Sequence, residues 1–252
     1  MGTSSYANDF EGLAAIVTGA ASGIGSATAE LLRLRGARVA ILDRVQAEDD
    51  RYLSVLCDVT DDEQVVSAVR RVAAELERLD IVVNNAGIGA AGTVSTNSDE
   101  EWRLVMDVNV LGLVRLSRAA FPFLQKSDAA SIVNTCSATA ITGLPNRALY
   151  SASKGAVESL TRAMAADYLR DHIRVNAVLP GTTDTPWVRR LLDAADDPRA
   201  EQVALVARQP MGRLVSAGEV ANAIAYLASP LAASTTGIML TVDGGLTGIR
   251  FG

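Results

Sequence analysis

Seven short apolar runs, at 14–18, 38–42, 52–57, 81–84, 131–135, 174–179 and 237–242, alternate with longer amphipathic stretches. The runs are apolar on nearly every residue, which is what strands carry when helices cover both faces of their sheet. Helical patterns fall between them at 24–35, 61–78, 99–124, 148–171, 187–208 and 217–228. A strand-helix alternation of this kind predicts a parallel sheet with right-handed crossovers, an α/β doubly wound seven-stranded fold in a single domain spanning 1–252. Three helix starts carry capping-box wording: Thr60-Asp61-Asp62-Glu63, Ser98-Asp99-Glu100-Glu101 and Ser216-Ala217-Gly218-Glu219. Residues 1–10 read as a loose end.

Composition closes off several functions. The chain of 252 residues has a formal net charge of −6, and no segment gathers enough basic charge to follow a phosphate backbone, so nucleic acid is not an expected partner. Two cysteines, Cys57 and Cys136, are too few for a disulfide scaffold, and the single histidine, His172, excludes a histidine-based metal site. No metal is expected. The charge-free stretch 221–242 contains Asn222, Pro230 and Gly237 and reads as a helix, a turn and a strand rather than a membrane span. Residues 1–11 carry acid and no Lys or Arg, unlike a secretory signal, so a cytoplasmic location is expected. The basic residues are 21 Arg and only two Lys, Lys126 and Lys154, a compositional hint of a GC-rich bacterial source.

The first strand runs into Thr18-Gly19-Ala20-Ala21-Ser22-Gly23-Ile24-Gly25 and then a helix. Glycines let a backbone turn tightly and approach a pyrophosphate, and the free N–H groups of a helix N-terminus favour that anion. A tight βα turn with no ligand would use the same residues; its place after the first strand favours a dinucleotide. The second strand ends at Asp43, whose carboxylate can accept from ribose hydroxyls and would repel a 2′-phosphate, which favours NAD over NADP; Arg44 beside it could tolerate a phosphate. Asp58 and Val59 fall past the third strand, where they can meet the adenine edge.

Tyr150-Ser151-Ala152-Ser153-Lys154 sets a phenol and an ammonium at i and i+4, on one helix face. A free phenol titrates near pH ~10, and a neighbouring ammonium favours the phenolate. Such a pair can take a proton from an alcohol or return it to a ketone. Ser137 ends the fifth run, where a hydroxyl can face a bound carbonyl.

Together with Asn84-Asn85-Ala86-Gly87 after the fourth run, Asn109 in Asp107-Val108-Asn109-Val110 and Pro180-Gly181 after the sixth, these motifs resemble the short-chain dehydrogenase/reductase family over nearly the whole length. The resemblance implies a Rossmann fold and an oxidoreductase. It implies Tyr150 as acid/base and Lys154 as its electrostatic partner and ribose ligand. Ser137 would orient the substrate oxygen, and Asn109 would support a water-linked proton relay. Gly19, Ser22, Gly23, Ile24, Gly25, Asn85, Ala86, Gly87, Pro180, Gly181, Thr183 and Thr185 would border the NAD cofactor. Thr183 departs from the Val or Ile more usual there. Family members are usually homotetramers built through the helices 99–124 and 148–171 and the C-terminal segment.

The family alone does not set the substrate. Residues 186–212 read as a substrate lid. Asn146-Arg147-Ala148-Leu149-Tyr150, Gly181-Thr182-Thr183-Asp184-Thr185-Pro186 and Arg208-Gln209 resemble the subgroup of 3-hydroxybutyrate and 2-keto-3-deoxy-sugar-acid dehydrogenases, in which arginines clamp a carboxylate. Arg147 and Arg208 match; a third from the lid would be Arg189 or Arg190. A guanidinium fork suits a carboxylate, although with 21 arginines two can fall near a site by accident. Trp187 reads as lid packing. The expected partner is a small hydroxy acid or 2-keto-3-deoxy sugar acid. The alternatives are a neutral sugar or polyol dehydrogenase, a non-catalytic dinucleotide-binding sensor, and a reductase of carrier-bound acyl groups. Cys57 and Cys136 read as core, His172 as a solvated helix end, and Asp61-Asp62 and Asp196-Asp197 as helix starts or exposed loop.

Overall fold

The computed structural model describes residues 8–47, 49–193, 195 and 197–250. Seven strands, β1 (Ala14–Thr18), β2 (Arg38–Asp43), β3 (Leu53–Leu56), β4 (Ile81–Asn84), β5 (Ser131–Thr135), β6 (Arg174–Pro180) and β9 (Met239–Val242), form one sheet in the order β3-β2-β1-β4-β5-β6-β9. Every neighbouring pair is parallel. The helices are α1 (Gly23–Leu34), α2 (Asp62–Glu75), α3 (Asp99–Met106), α4 (Gly112–Leu124), α5 (Ala148–Asp167), α6 (Pro186–Asp193), α7 (Pro198–Ala207) and α8 (Ala217–Ala228).

Alternation along each strand divides the core in two. Ile16, Val82, Ile132 and Val175 join Val69, Leu116 and Val157 of α2, α4 and α5 on one face. Val17, Val83, Val133 and Val178 join Ala29 and Leu32 of α1 and Ile224 and Leu227 of α8 on the other. β1 and β4 are buried along their length, as their apolar wording predicts, whereas β5 buries Ser131 and Asn134 by hydrogen-bonding them to the Leu227 carbonyl, Asn84 and Thr161. The 221–242 stretch is α8, a short 3₁₀ turn at Pro230–Ala232 and β9. Among the described residues no helix is long and apolar enough to cross a membrane.

Several elements differ from expectation for identifiable reasons. The 99–124 helix is broken by a π turn at Asp107–Leu111. The 187–208 helix is two helices: Asp197 caps the second by accepting from the N–H groups of Arg199 and Ala200, and Pro198 follows at its first position. The 148–171 helix ends at Asp167, and a 3₁₀ turn closes on His172 in the left-handed region, φ 57°. The boxes at Ser98 and Ser216 form, but α2 is capped one residue later than expected. Asp61 accepts from Gln64 N–H, while the Thr60 hydroxyl donates to Asp58. A second sheet, β7 (Thr183–Asp184) against β8 (Val215–Ser216), has strands too short for periodicity to reveal.

The loose N-terminal end is corrected over residues 8–10, whereas residues 1–7 lie outside the described residues. Phe10 is wholly buried, Arg35 stacks 4.8 Å above its ring, and the same guanidinium donates to both Asp9 oxygens at 2.8 and 2.6 Å. The Ser229 hydroxyl also donates to Asp9, so the segment is fastened to the end of α8.

Candidate active site

The strand order reverses between β1 and β4, and the loops that leave these two strands part there. Such a switch point opens a crevice at the carboxyl ends of parallel strands. A cavity of about 460 Å³ occupies it. All the predicted site residues except Gly25 and Asn109 line this cavity.

Thr18 sets the crevice floor. Its hydroxyl accepts from the N–H groups of Asn85 and Ala86, both at 3.0 Å, tying the end of β1 to the loop after β4. The Asn85 amide donates to the carbonyls of Thr18 at 2.9 Å and Gly19 at 3.2 Å, so this side chain holds the glycine loop in shape. Gly25 works beneath the loop: a Cβ there would lie 2.6 Å from that amide nitrogen. Gly19 has φ 63°, and its Cβ would lie 2.9 Å from the Ala86 backbone. Glycine is thus required by the fit of the two loops.

Side chains cap α2, α3, α7 and α8, whereas Ser22 at the start of α1 makes no such bond and no acid lies in the first turn. α1 therefore presents free N–H groups to the cavity, which fits a pyrophosphate. At the far end Asp43 accepts from Ala21 N–H at 3.0 Å and Val45 N–H at 3.1 Å. Arg44 is turned towards Asp58, 3.5 Å away. Asp58 also accepts from the Thr60 N–H and hydroxyl, and these bonds hold its carboxyl below the usual carboxylate range. The cleft thus fits a dinucleotide along its whole length.

The reactive half lies at the ends of β5 and α5. Lys154 is buried, donates to the Thr135 carbonyl at 2.9 Å, and forms no ion pair among the described residues. Its ammonium stands 5.8 Å from the centre of the Tyr150 ring. Ser137 is buried and accepts from the Thr139 N–H at 3.2 Å and hydroxyl at 3.0 Å, which leaves its own proton for another acceptor. Asn109 sits in the π turn. Its oxygen accepts from Ile88 N–H at 2.8 Å, and its amide donates to the Ile88 carbonyl at 2.9 Å and the Ser153 hydroxyl at 3.0 Å. Ser153 in turn donates to the Tyr150 carbonyl at 2.8 Å. Asn109 thus frames the site from behind the cavity wall.

The arginines sort themselves. Arg189 pairs with Asp184 at 3.1 Å on the surface, whereas Arg190 lines the cavity with Arg147 and Arg208. Among the described residues none of these three forms an ion pair within 4.0 Å, and burial, then the nearby Arg208 charge, draw the Arg147 guanidinium below its usual range. Arg147 is held by its backbone: Asn146 is left-handed at φ 57°, its carbonyl accepts from Gly92 N–H, and Ala148 N–H donates back to Gly92. Beside Arg208, the buried Gln209 amide donates to the Thr182 carbonyl at 3.1 Å and anchors the end of α7.

Trp187 lines the cavity. Its ring lies against Gly89, where a Cβ would come within 2.8 Å of Cη2, so α6 meets the loop after β4 across the cavity. Sequence reasoning missed Thr139, Leu144, Leu191, Leu205 and Leu246 in the lining. The helical spacing of Leu205 to Arg208 was a usable signal; for Leu246 there was none. Cys136 donates to the Lys154 carbonyl at 3.1 Å, and burial raises its thiol; Cys57 is pushed up to about 11 by burial, so both behave as core.

A glycine-floored crevice joined to a buried ammonium beneath a phenol defines a dinucleotide-dependent oxidoreductase. The family model described as Enoyl-(Acyl carrier protein) reductase matches residues 19–247. The chain is 42% identical over 246 residues to Cis-4-hydroxycyclohexanecarboxylate dehydrogenase of Sinomonas cyclohexanicum, covering 93% of this chain and 96% of that one. It is 37% identical to Dehydrogenase/reductase SDR family member 6 of Rattus norvegicus, covering 93% and 97%. The ligand-free aldohexose dehydrogenase of Thermoplasma acidophilum superposes with a TM-score of 0.92 at 36% identity, covering 98% and 100%. The chain belongs to the short-chain dehydrogenase/reductase family, and with it to the oxidoreductases that interconvert alcohols and ketones with a nicotinamide dinucleotide.

Proposed function

We propose that this protein is an NAD-dependent dehydrogenase of a small hydroxy acid. The observation that carries the reading is the pair Arg147 and Arg208, which line one cavity with Ser137 and Tyr150 and have no acidic partner within 4.0 Å among the described residues. Adjacent guanidinium groups repel one another, and a carboxylate between them relieves that repulsion with bidentate hydrogen bonds. Arg190, from α6, is the third member in preference to Arg189. The Sinomonas relative, whose name specifies a hydroxy carboxylate, agrees with this class.

In the proposed reaction Ser137 donates its free proton to the substrate oxygen and fixes it beside the Tyr150 phenol. Tyr150 takes the hydroxyl proton during oxidation and returns it during reduction. Lys154, locked to Thr135, keeps positive charge under the phenol and meets the nicotinamide ribose. A water-linked relay past Asn109 belongs to this proposal, with the carboxamide as its frame. When bound, the nicotinamide accepts or returns the hydride. Residues 186–212 form the lid; Trp187 against Gly89 excludes water from one side. Asp43 accepts from the ribose hydroxyls, and Arg44, drawn to Asp58, is not held out for a 2′-phosphate; both favour NAD. The active form is a homotetramer built through α3–α5 and the C-terminal segment, where Leu104 and Leu111 are exposed.

The test is initial-rate reduction of NAD⁺ with 3-hydroxybutyrate, cis-4-hydroxycyclohexanecarboxylate, 2-keto-3-deoxy sugar acids and neutral sugars compared directly. Turnover confined to acids supports the reading. Turnover confined to neutral sugars replaces it with the second reading, a sugar or polyol dehydrogenase, which the likeness to the aldohexose enzyme favours.

A further inference from the structure

Resting on the hydroxy-acid reading, we infer that the substrate's body, between its carbinol carbon and its carboxylate, is an apolar carbon framework and not a polyhydroxylated chain. The lining itself is the reason. α6 and α7 give the cavity Trp187, Val188, Leu191 and Leu205, and beyond these only the cation Arg190, with Arg208 at the cap that follows α7. Neither helix contributes an amide, a hydroxyl or a carboxylate to this wall. The loop before α5 adds Leu144 to the lining, and Arg147 at the start of α5 lines it too.

Neutral hydrogen-bonding side chains of the lining come from other elements, among them Ser137 and Thr139 after β5, Tyr150 on α5, and Thr182, Thr183 and Thr185 after β6, of which Thr183 and Thr185 fall to the dinucleotide in the proposed function. Ser137 and Thr139 already bond one another, and Tyr150 exchanges its proton with the carbinol oxygen in the proposed mechanism. A substrate held there by its carbinol and by the arginines at its carboxylate lays its middle against leucine, valine and indole. Hydroxyl groups on that middle would lose water without gaining partners. Methylene groups would cover apolar surface instead. Such surface is waiting: Trp187 and Leu191 are 42% and 40% exposed although both line the cavity, and they stand one turn apart on a single face of α6. The inference separates the two acids read from the sequence. It selects a carbocyclic or alkyl hydroxy acid and sets aside the sugar acid.

The experiment measures kcat/KM with NAD⁺ for cis- and trans-4-hydroxycyclohexanecarboxylate, 2-keto-3-deoxygluconate, gluconate and cyclohexanol. The expected result is a value for a carbocyclic acid at least about 100-fold above either sugar acid, since each unpartnered hydroxyl adds to the discrimination. A sugar acid within tenfold of the better carbocyclic acid overturns the inference. Cyclohexanol equal to the carbocyclic acid, with both far above the sugar acids, removes the arginine clamp and leaves the apolar body standing. Leu191→Gln supplies a partner on an exposed turn without disturbing the core. It should lower kcat/KM for the carbocyclic acid several-fold, chiefly through KM, and narrow the gap to the sugar acids; an unchanged gap overturns the inference as well.

Discussion

Lys154 donates its ammonium to the backbone carbonyl of Thr135 at 2.9 Å, fixing a helix side chain to the end of a central strand. The charge is thereby held in place before any ligand arrives, 5.8 Å from the Tyr150 ring. Tyr150→Phe removes the proposed proton acceptor and leaves this lock intact. The expected outcome is a fall in kcat of about 10²–10⁴-fold, the usual contribution of a positioned acid/base, with dinucleotide affinity unchanged by fluorescence titration. Retention of most of the activity would refute the assigned role.

Arg208→Ala should raise KM for a hydroxy acid by about 10–100-fold, the loss expected for charge-assisted hydrogen bonds of roughly 1.5–3 kcal/mol. KM for a neutral alcohol should hardly move. Arg189→Ala provides the control: its guanidinium is paired with Asp184 outside the cavity, so both constants should stay within about twofold, as expected for an exposed ion pair. Equal effects of Arg208→Ala on acid and neutral substrates would remove the clamp.

Asp43→Ser should narrow the proposed preference for NAD⁺ over NADP⁺ by tenfold or more in kcat/KM, because a carboxylate that would repel a 2′-phosphate is gone. The Ala21 and Val45 N–H groups lose their acceptor in the same variant, so thermal denaturation should be recorded with the kinetics. An unaltered cofactor ratio would show that Asp43 serves only to hold the glycine loop.

Glu219 links the α8 cap to pH. Hydrogen bonds from Arg213, then from Ser216, hold its carboxyl at about 2, below the ordinary 4.5. A carboxyl depressed on folding contributes stability above its unfolded pKa, and that contribution is lost as pH falls through the folded one. The difference in Tm between the wild type and Glu219→Gln should therefore be full at pH 6 and close between pH ~4.5 and ~2. A difference that widens on acidification would contradict the cap's ionic character.

Cys57, pushed up to about 11, and Cys136, also raised by burial, are neutral thiols at pH 8. Neither should react with a thiol reagent until the protein unfolds. Rapid labelling of the native enzyme would show that Cys57, which borders the cavity just past β3, is reached in solution.

The strands were legible because both faces are covered: Ile16 and Val17 enter opposite cores, so their run is apolar without interruption. Glycine spacing, Asp43 and the Tyr150–Lys154 offset marked the cleft for the same local reason. Elements set by tertiary contact were not visible. Nothing in 99–124 announces a π turn, because what holds it is Asn109 reaching Ile88 and Ser153, residues distant in sequence. Arg189 and Arg190 are indistinguishable as adjacent letters, and only Asp184 decides between them. The break before Asp197 was readable, since an Asp-Pro pair is helix-start wording inside an apparently continuous pattern.

Arg147 is the N-cap residue of α5, and Tyr150 and Lys154 follow on the same helix. The proposed carboxylate holder and proton acceptor are thus graduations on one rigid ruler, separated by less than a turn at about 1.5 Å of rise per residue. On the proposed hydroxy-acid reading, the ruler measures how far a substrate's acid group stands from its carbinol, whatever lies between. Exchanging residues on α6 and α7 would then recut the shape of the accepted molecule without changing that span. New specificities can arise in this scaffold by editing the wall while the measuring edge stays fixed.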